Sequence, residues 1–217
     1  PTPLSLQHDL HVRYLQTAAR PAPLSPAFLP LDASRPWIAF WTLHGLSLLG
    51  RPVSGDLREA MIRELMGLWQ VGGGFAGNAG YPAHLAATYA GIAALSILGA
   101  AGQVDRSGLR HFIAGLWRPD GSLRLQADGG EWDLRGAYCA VASLAMLGES
   151  LSDSDSGKLA TSIAACQTHE GGLGAVPWAE AHGGYTFCGV AALAIIGRLD
   201  AIDTSAALAF CCRLQCP

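Results

Sequence analysis

An aromatic residue stands ten positions ahead of a glycine four times in this chain, and the copies are 49 residues apart: Phe40 with Gly50, Tyr89 with Gly99, Tyr138 with Gly148, and Phe187 with Gly197. They read AFWTLHGLSLLG, TYAGIAALSILG, AYCAVASLAMLG and TFCGVAALAIIG. Two helices of about ten to fifteen residues and two loops fill such a period, so one helical hairpin per repeat is predicted. Each apolar run reads as a helix buried on all sides, ended by its glycine in the left-handed conformation.

The segments upstream of these runs are amphipathic. In SGDLREAMIRELMGLWQ, Leu57, Met61, Ile62, Leu65, Met66 and Trp69 fall at helical spacing. Asp56, Arg58, Glu59, Arg63 and Glu64 fill the opposite face, and Ser54 is placed as an N-cap. RSGLRHFIAGLW repeats the arrangement, and DSGKLATSIAACQ and DTSAALAFCCRL carry weaker versions. An outer amphipathic helix, a glycine-rich loop and an inner apolar helix form the unit, and a row of such units curves into an all-α toroid of helical hairpins. The repeats occupy residues 31–217, after a lead-in over 1–30 in which Pro21 to Pro30 is expected to be extended.

With 50% hydrophobic and 14% charged residues, 217 residues suffice for one domain with a substantial core. A net charge of −3 without a basic block gives no footprint for nucleic acid or an acidic membrane surface. Leu85 to Val104 holds twenty residues without a formal charge, but its alignment with three shorter copies makes it a buried inner helix rather than a membrane span. The six cysteines lack CxxC spacing and read as reduced thiols of a cytoplasmic protein. No signal peptide precedes the first repeat, and the chain opens on Pro1, which suggests part of a longer protein.

Function is sought where the repeats differ. Five residues before each aromatic stand Arg35, His84, Asp133 and His182, and three before it Trp37, Ala86, Arg135 and Gly184. These junctions between loop and inner helix would ring one mouth of a toroid, where helix N-termini favour an anion. His84, Glu131, Asp133, Arg135 and His182 supply polarity there. Trp37, Trp41, Tyr89, Tyr138, Cys139, Tyr185 and Cys188 would line the wall behind it. A ligand with an anionic head and an apolar tail is the expectation.

The segments LDASRPWIAFWTLH, GGFAGNAGYPAHLAATYAGIAALSILG, GGEWDLRGAYCAVASLAMLG and CQTHEGGLGAVPWAEAHGGYTFCGVAALAIIG resemble the β subunits of protein prenyltransferases, and among them those of protein farnesyltransferases most. The resemblance runs from about Leu31 to Gly197, and EAHGGYTFCG and DASRPW are its most specific parts. It implies a cytoplasmic heterodimer with an α subunit that transfers a farnesyl group from farnesyl diphosphate to the cysteine of a C-terminal CaaX motif. His182 would contact the diphosphate and stabilise it as it departs, with Gly183, Gly184 and Tyr185 shaping the donor site. Tyr138 and Cys188 would line the isoprenoid channel, and Arg135 would approach both channel and acceptor. His84 and Glu131 would join Arg135 near the acceptor's terminal carboxylate. Trp37 would shorten the channel to suit fifteen carbons and also border the acceptor peptide, and Trp41 would pack against the acceptor's aliphatic residues.

The resemblance also implies zinc, held by an aspartate, a cysteine two residues on and a distant histidine. No such pattern follows HGGYTFCG, so no metal ligand is assigned in this chain. About four of the family's six hairpins are accounted for, and an exposed edge of apolar inner helices is expected. Further departures are Phe40 in place of tyrosine, Ala87 in place of proline, and Trp132 beside Glu131. The alternatives are a type I geranylgeranyltransferase β subunit and a non-catalytic β-like binding module. A terpene cyclase would need a DxDD or DDxxD motif, and neither occurs.

Overall fold

The computed structural model describes residues 6–18 and 26–216, and within them every regular element is helical, with only isolated β-bridges between loop residues. Contacts divide the chain into two compact units, Pro1–Asp105 and Arg106–Pro217. The first holds α1 (His8–Ala18), α2 (Arg35–Leu48), α3 (Gly55–Met66) and α4 (Leu85–Ile97). The second holds α5 (Arg106–Ala114), α6 (Leu134–Met146), α7 (Asp153–Ala164), α8 (Gly183–Ile195) and α9 (Thr204–Arg213). In each unit two inner helices pack on one another, α2 on α4 and α6 on α8.

The inner helices are the apolar runs. In α4, Leu85, Ala90, Ile92, Ala94 and Leu95 have no exposed surface, and in α6 Ala140, Val141 and Leu144 are nearly as deep. Each ends as its glycine dictates. Gly50, Gly99, Gly148 and Gly197 have φ of 67°, 66°, 73° and 69°. Behind each glycine the chain turns back onto its helix: Gly148 N–H donates to the Ala145 carbonyl and Glu149 N–H to the Leu144 carbonyl. The same pair of bonds closes α2, α4 and α8, so four Schellman motifs recur at the repeat period.

Outer helices are tied to these C-termini by arginine. Arg58 of α3 donates from Nε to the Leu98 carbonyl at the end of α4 (2.9 Å), and Arg110 of α5 pairs with Glu149 just beyond α6. Positive charge at a helix C-terminus satisfies exposed carbonyls and complements the dipole. The charged face of α3 is therefore not wholly solvated: Arg58 reaches α4, and Glu64 is engaged by Arg35. Ser54 occupies the N-cap of α3, but its hydroxyl makes no capping bond.

The loops leading into α4 and α8 share one buried polar device. The Thr88 hydroxyl accepts from Phe75 N–H (2.9 Å), and the Thr186 hydroxyl accepts from Leu173 N–H (2.8 Å), both out of contact with solvent. Phe75 and Leu173 in turn accept from the N–H groups of His84 and His182, at 3.0 Å each. The backbone of each histidine is thereby fixed before its helix begins.

Part of the expected lead-in is regular. Residues 8–18 form α1, whose Leu15 side chain packs against Gly45 of α2; a Cβ on that glycine would come within 2.9 Å of it. Pro26–Ser34 form a 3-10 segment instead of extended backbone, and residues 19–25, with Pro21 and Pro23, lie outside the described residues. The uncharged stretch from Leu85 yields a helix of 13 residues, and among the described residues no helix is long and apolar enough to cross a membrane. Along α8 and α9 an apolar groove of about 460 Å3 lies open, lined by Phe187, Val190, Ala194, Ala207 and Leu208 among others. Its α8 residues match Tyr138, Val141 and Ala145 of α6 by the 49-residue period.

Replacing Gly148 by alanine should cost about 1–2 kcal/mol, because nothing crowds the site and only the left-handed backbone resists a side chain. Gly102, equally open and without positive φ, is the control. Gly102→Ala should leave chemical denaturation unchanged or shift it towards stability.

Candidate functional site

The four register positions ahead of the aromatics lie at inner-helix N-termini, and three are N-caps. His84 Nδ1 accepts from Ala86 N–H (3.2 Å), Asp133 Oδ1 from Arg135 N–H (2.8 Å), and His182 Nδ1 from Gly184 N–H (3.0 Å). The fourth, Arg35, is the first residue of α2, and its guanidinium is spent on structure. It bonds Asp32 (2.8 Å) and Glu64 (2.5 Å), while Asn78 donates to Asp32 (2.6 Å). Its own N–H donates to the Gly77 carbonyl, and a Cβ on Gly77 would collide with the Ala33 carbonyl oxygen at 2.0 Å. The DASRPW motif is thus a junction that locks the 3-10 segment, α3 and the loop before α4 onto the start of α2.

An imidazole whose Nδ1 accepts a hydrogen bond carries its proton on Nε2, so the caps fix the tautomers of His84 and His182. His182 is exposed, and its Nε2–H takes no part in the cap at the positive end of α8. The two glycines after it have separate uses. A Cβ on Gly184 would lie 3.2 Å from the His182 ring, so its absence lets the imidazole fold over the helix end, and nothing approaches within 4 Å of a Cβ on Gly183. His182 also lies against Tyr185, with ring centroids 5.4 Å apart.

Asp133 does two things at once. It caps α6 and grips Arg135, accepting from Nε (2.9 Å) and Nη2 (2.5 Å), while Glu131 adds a longer ion pair at 3.2 Å. These partners, Asp133 first, hold the guanidinium proton more firmly than usual. Behind them lie Cys139 and Cys188, one repeat apart on α6 and α8. Burial pushes the Cys139 thiol up to about 12, with Cys188 nearby adding to the shift. Burial likewise lifts Cys188 to about 11, with Asp133 adding and Arg135 opposing. Both are neutral at pH 7 and therefore weak nucleophiles. Tyr138 and Phe187 meet edge to face at 5.2 Å beside them. The second unit therefore brings together Glu131, Asp133, Arg135, Tyr138, Cys139, His182, Tyr185 and Cys188.

The first unit holds the other predicted wall residues. Trp37 lies 5.3 Å from Trp41 and 5.7 Å from Tyr89, and Phe40 meets Tyr89 edge to face at 5.8 Å. Trp41 is 54% exposed, a large apolar surface left available beside this cluster. Trp132 carries the Arg118 guanidinium over its ring at 4.0 Å. Among the described residues no three His, Cys, Asp or Glu side chains converge to hold a metal.

The description "Prenyltransferase alpha-alpha toroid domain" fits residues 6–217. The chain belongs to that family. It is 37% identical over 203 residues to the protein farnesyltransferase subunit beta of Arabidopsis thaliana, covering 92% of this chain and 41% of the relative. It is 40% identical over 198 residues to the subunit of the same name from Schizosaccharomyces pombe, covering 89% of this chain and 50% of the relative. The chain thus spans about half the length of the curated relatives it matches. Among solved structures, Candida albicans protein geranylgeranyltransferase-I complexed with GGPP shares the fold, with a TM-score of 0.80 over 98% of this chain and 65% of that one at 16% identity.

Two consequences can be measured. Asp133→Ala removes a cap and a clamp together and should cost about 1–3 kcal/mol in urea unfolding, whereas Glu131→Ala, an exposed pair member, should cost under about 1 kcal/mol. The raised thiols of buried Cys139 and half-buried Cys188 make stability pH-dependent. Their folded values exceed the ordinary ~8.5, so the contribution is complete below that pH and is lost as pH rises towards 11–12. Alkylation followed by mass spectrometry at pH 8 should modify exposed Cys211, Cys212 and Cys216 first and buried Cys139 and Cys166 last.

Proposed function

We propose that this chain is the donor-binding portion of a protein farnesyltransferase β subunit, which with an α subunit transfers a farnesyl group to CaaX cysteines in the cytoplasm. The observation that carries the reading is His182: an exposed capping imidazole at the N-terminus of α8, with Nε2–H outside the cap, followed by two glycines and set against the Tyr185 ring. The names of the relatives support the same reaction class.

On this reading the diphosphate lies at the start of α8 and the isoprenoid runs along Tyr138, Cys188 and the inner-helix wall. His182 donates from Nε2 to a diphosphate oxygen, and that bond strengthens as negative charge gathers on the leaving group. Gly183 and Gly184 let the anion approach the helix backbone, and Tyr185 bounds the site. Arg135 contributes as a charge already oriented by Asp133, and with Glu131 it would serve the acceptor's terminal carboxylate, a role that the resemblance alone extends to His84 of the first unit. In the first unit, Trp37 would set a donor length of fifteen carbons, as the family resemblance implies, and Trp41 has an exposed face that suits the acceptor. Among the described residues no ligand set converges for the zinc that the family resemblance implies, so no step is routed through the metal.

Calorimetric binding of farnesyl diphosphate tests the reading. His182→Ala should weaken it about 10-fold or more, the worth of a hydrogen bond to a charged group, and Trp37→Thr should move preference towards geranylgeranyl diphosphate. Unchanged affinity in His182→Ala would refute the donor-site assignment, and an unchanged preference in Trp37→Thr would favour geranylgeranyl transfer. Binding without transfer in the presence of an α subunit and a CaaX peptide would favour a non-catalytic module.

A further inference from the structure

Trp178 has φ of 71° and is the one non-glycine residue with positive φ among those described. It is the third residue of the turn Val176–Ala179, closed by Ala179 N–H donating to the Val176 carbonyl at 3.1 Å, with Pro177 second. The third position of such a turn calls for glycine. The repeat supplies the comparison internally. Positions 49 and 98 residues earlier are Gly129 and Gly80, with φ of 64° and 81°, and Gly80 is the third residue of the matching turn Asn78–Tyr81. A bulky side chain has replaced glycine in the one copy that leads directly into His182.

Nothing in the fold offsets that strain. Trp178 is 101% exposed, where the next most exposed aromatic among the described residues, Tyr14, is 63%. The indole borders a surface depression of about 940 Å3 formed by Ala164, Ala165, Gln167–Glu170 and Pro177–Ala181. The formally charged side chains on its lining are Glu170 and Glu180, both exposed. The nearby Arg213 guanidinium is engaged by the Glu170 carbonyl at 2.9 Å. An unpacked indole face beside two carboxylates complements a cation, by π attraction and ion pairing together. Residues held in sparsely populated backbone conformations concentrate where ligands bind.

We propose that Trp178, Glu170 and Glu180 form a docking surface for a basic segment of a partner protein, an arginine or lysine side chain lying over the indole between the two carboxylates. The surface lies on the loop that delivers His182, and the proposal goes beyond the donor site without depending on it.

The test uses the whole chain and a hexa-arginine peptide, with a glycine–serine hexapeptide as control, in calorimetry at low and physiological salt. Binding is expected for the basic peptide only, weakening as salt rises. Trp178→Gly should weaken it about 10-fold while raising the melting temperature by roughly 2–4 °C, since glycine relieves the strain. Glu180→Gln and Glu170→Gln should each weaken it several-fold. A Trp178→Gly protein that binds hexa-arginine like the parent overturns the proposal, as does a parent that binds both peptides alike or neither. A melting temperature that does not rise removes the strain argument on which it stands. Farnesyl diphosphate affinity should be unchanged in Trp178→Gly, so failure of the donor-site reading and failure of this one are distinguishable.

Discussion

The ends of the inner helices set the terms for the rest of this protein. An apolar inner helix packed on the core can bury no free N–H or C=O at its termini without a partner. This holds even in α2 and α8, where Trp41, Leu48, Phe187 and Ile195 stay exposed and the expected burial on all sides is not met. Each copy meets the requirement at its C-terminus with a left-handed glycine and two back-bonds. At its N-terminus the chain uses whatever the local residue offers: an imidazole at 84 and 182, a carboxylate at 133, and a half-buried arginine junction at 35. The C-terminal solution is the same everywhere because nothing but the fold uses it. The N-terminal solutions diverge, and the candidate site is built from that divergence.

One economy follows. A capping group is already desolvated on one side and oriented by a short bond, so the free side is presented at little additional cost in conformational freedom. His182 uses Nδ1 for the helix and keeps Nε2–H out of the cap. Asp133 uses one oxygen for the helix and both for Arg135. Preorganisation here comes from secondary structure itself, in keeping with a site carried by helix ends rather than by a long mobile loop.

The 49-residue spacing made the fold legible before any coordinates, because a repeat lets each copy report on the others. The helices, their glycine stops and the junction positions could all be read that way. Other features could not. Helix α1 belongs to no visible copy, and its amphipathic pattern, Val12, Leu15 and Ala18 against His8, His11 and Arg13, is short and weak. The role of Arg35 is invisible locally, since its partner Glu64 lies 29 residues away and Asn78 reaches the same network through Asp32. Asp133 was legible as a polar junction residue but not as cap and clamp together. Trp178 could have been found: aligning the loops as well as the helices sets it against Gly80 and Gly129, and a tryptophan in a glycine column is a signal on its own.

The central claim is that helix capping decides which nitrogen of His182 bears the proton, and so what the site can donate. Long-range 1H–15N correlation of the histidine rings at neutral pH reads this directly. The account predicts Nδ1 unprotonated and Nε2 protonated for His182, the same tautomer for His84, and loss of that preference for His182 when α8 is destabilised at its first turn. A His182 ring protonated on Nδ1, or exchanging freely between tautomers in the folded protein, would contradict it.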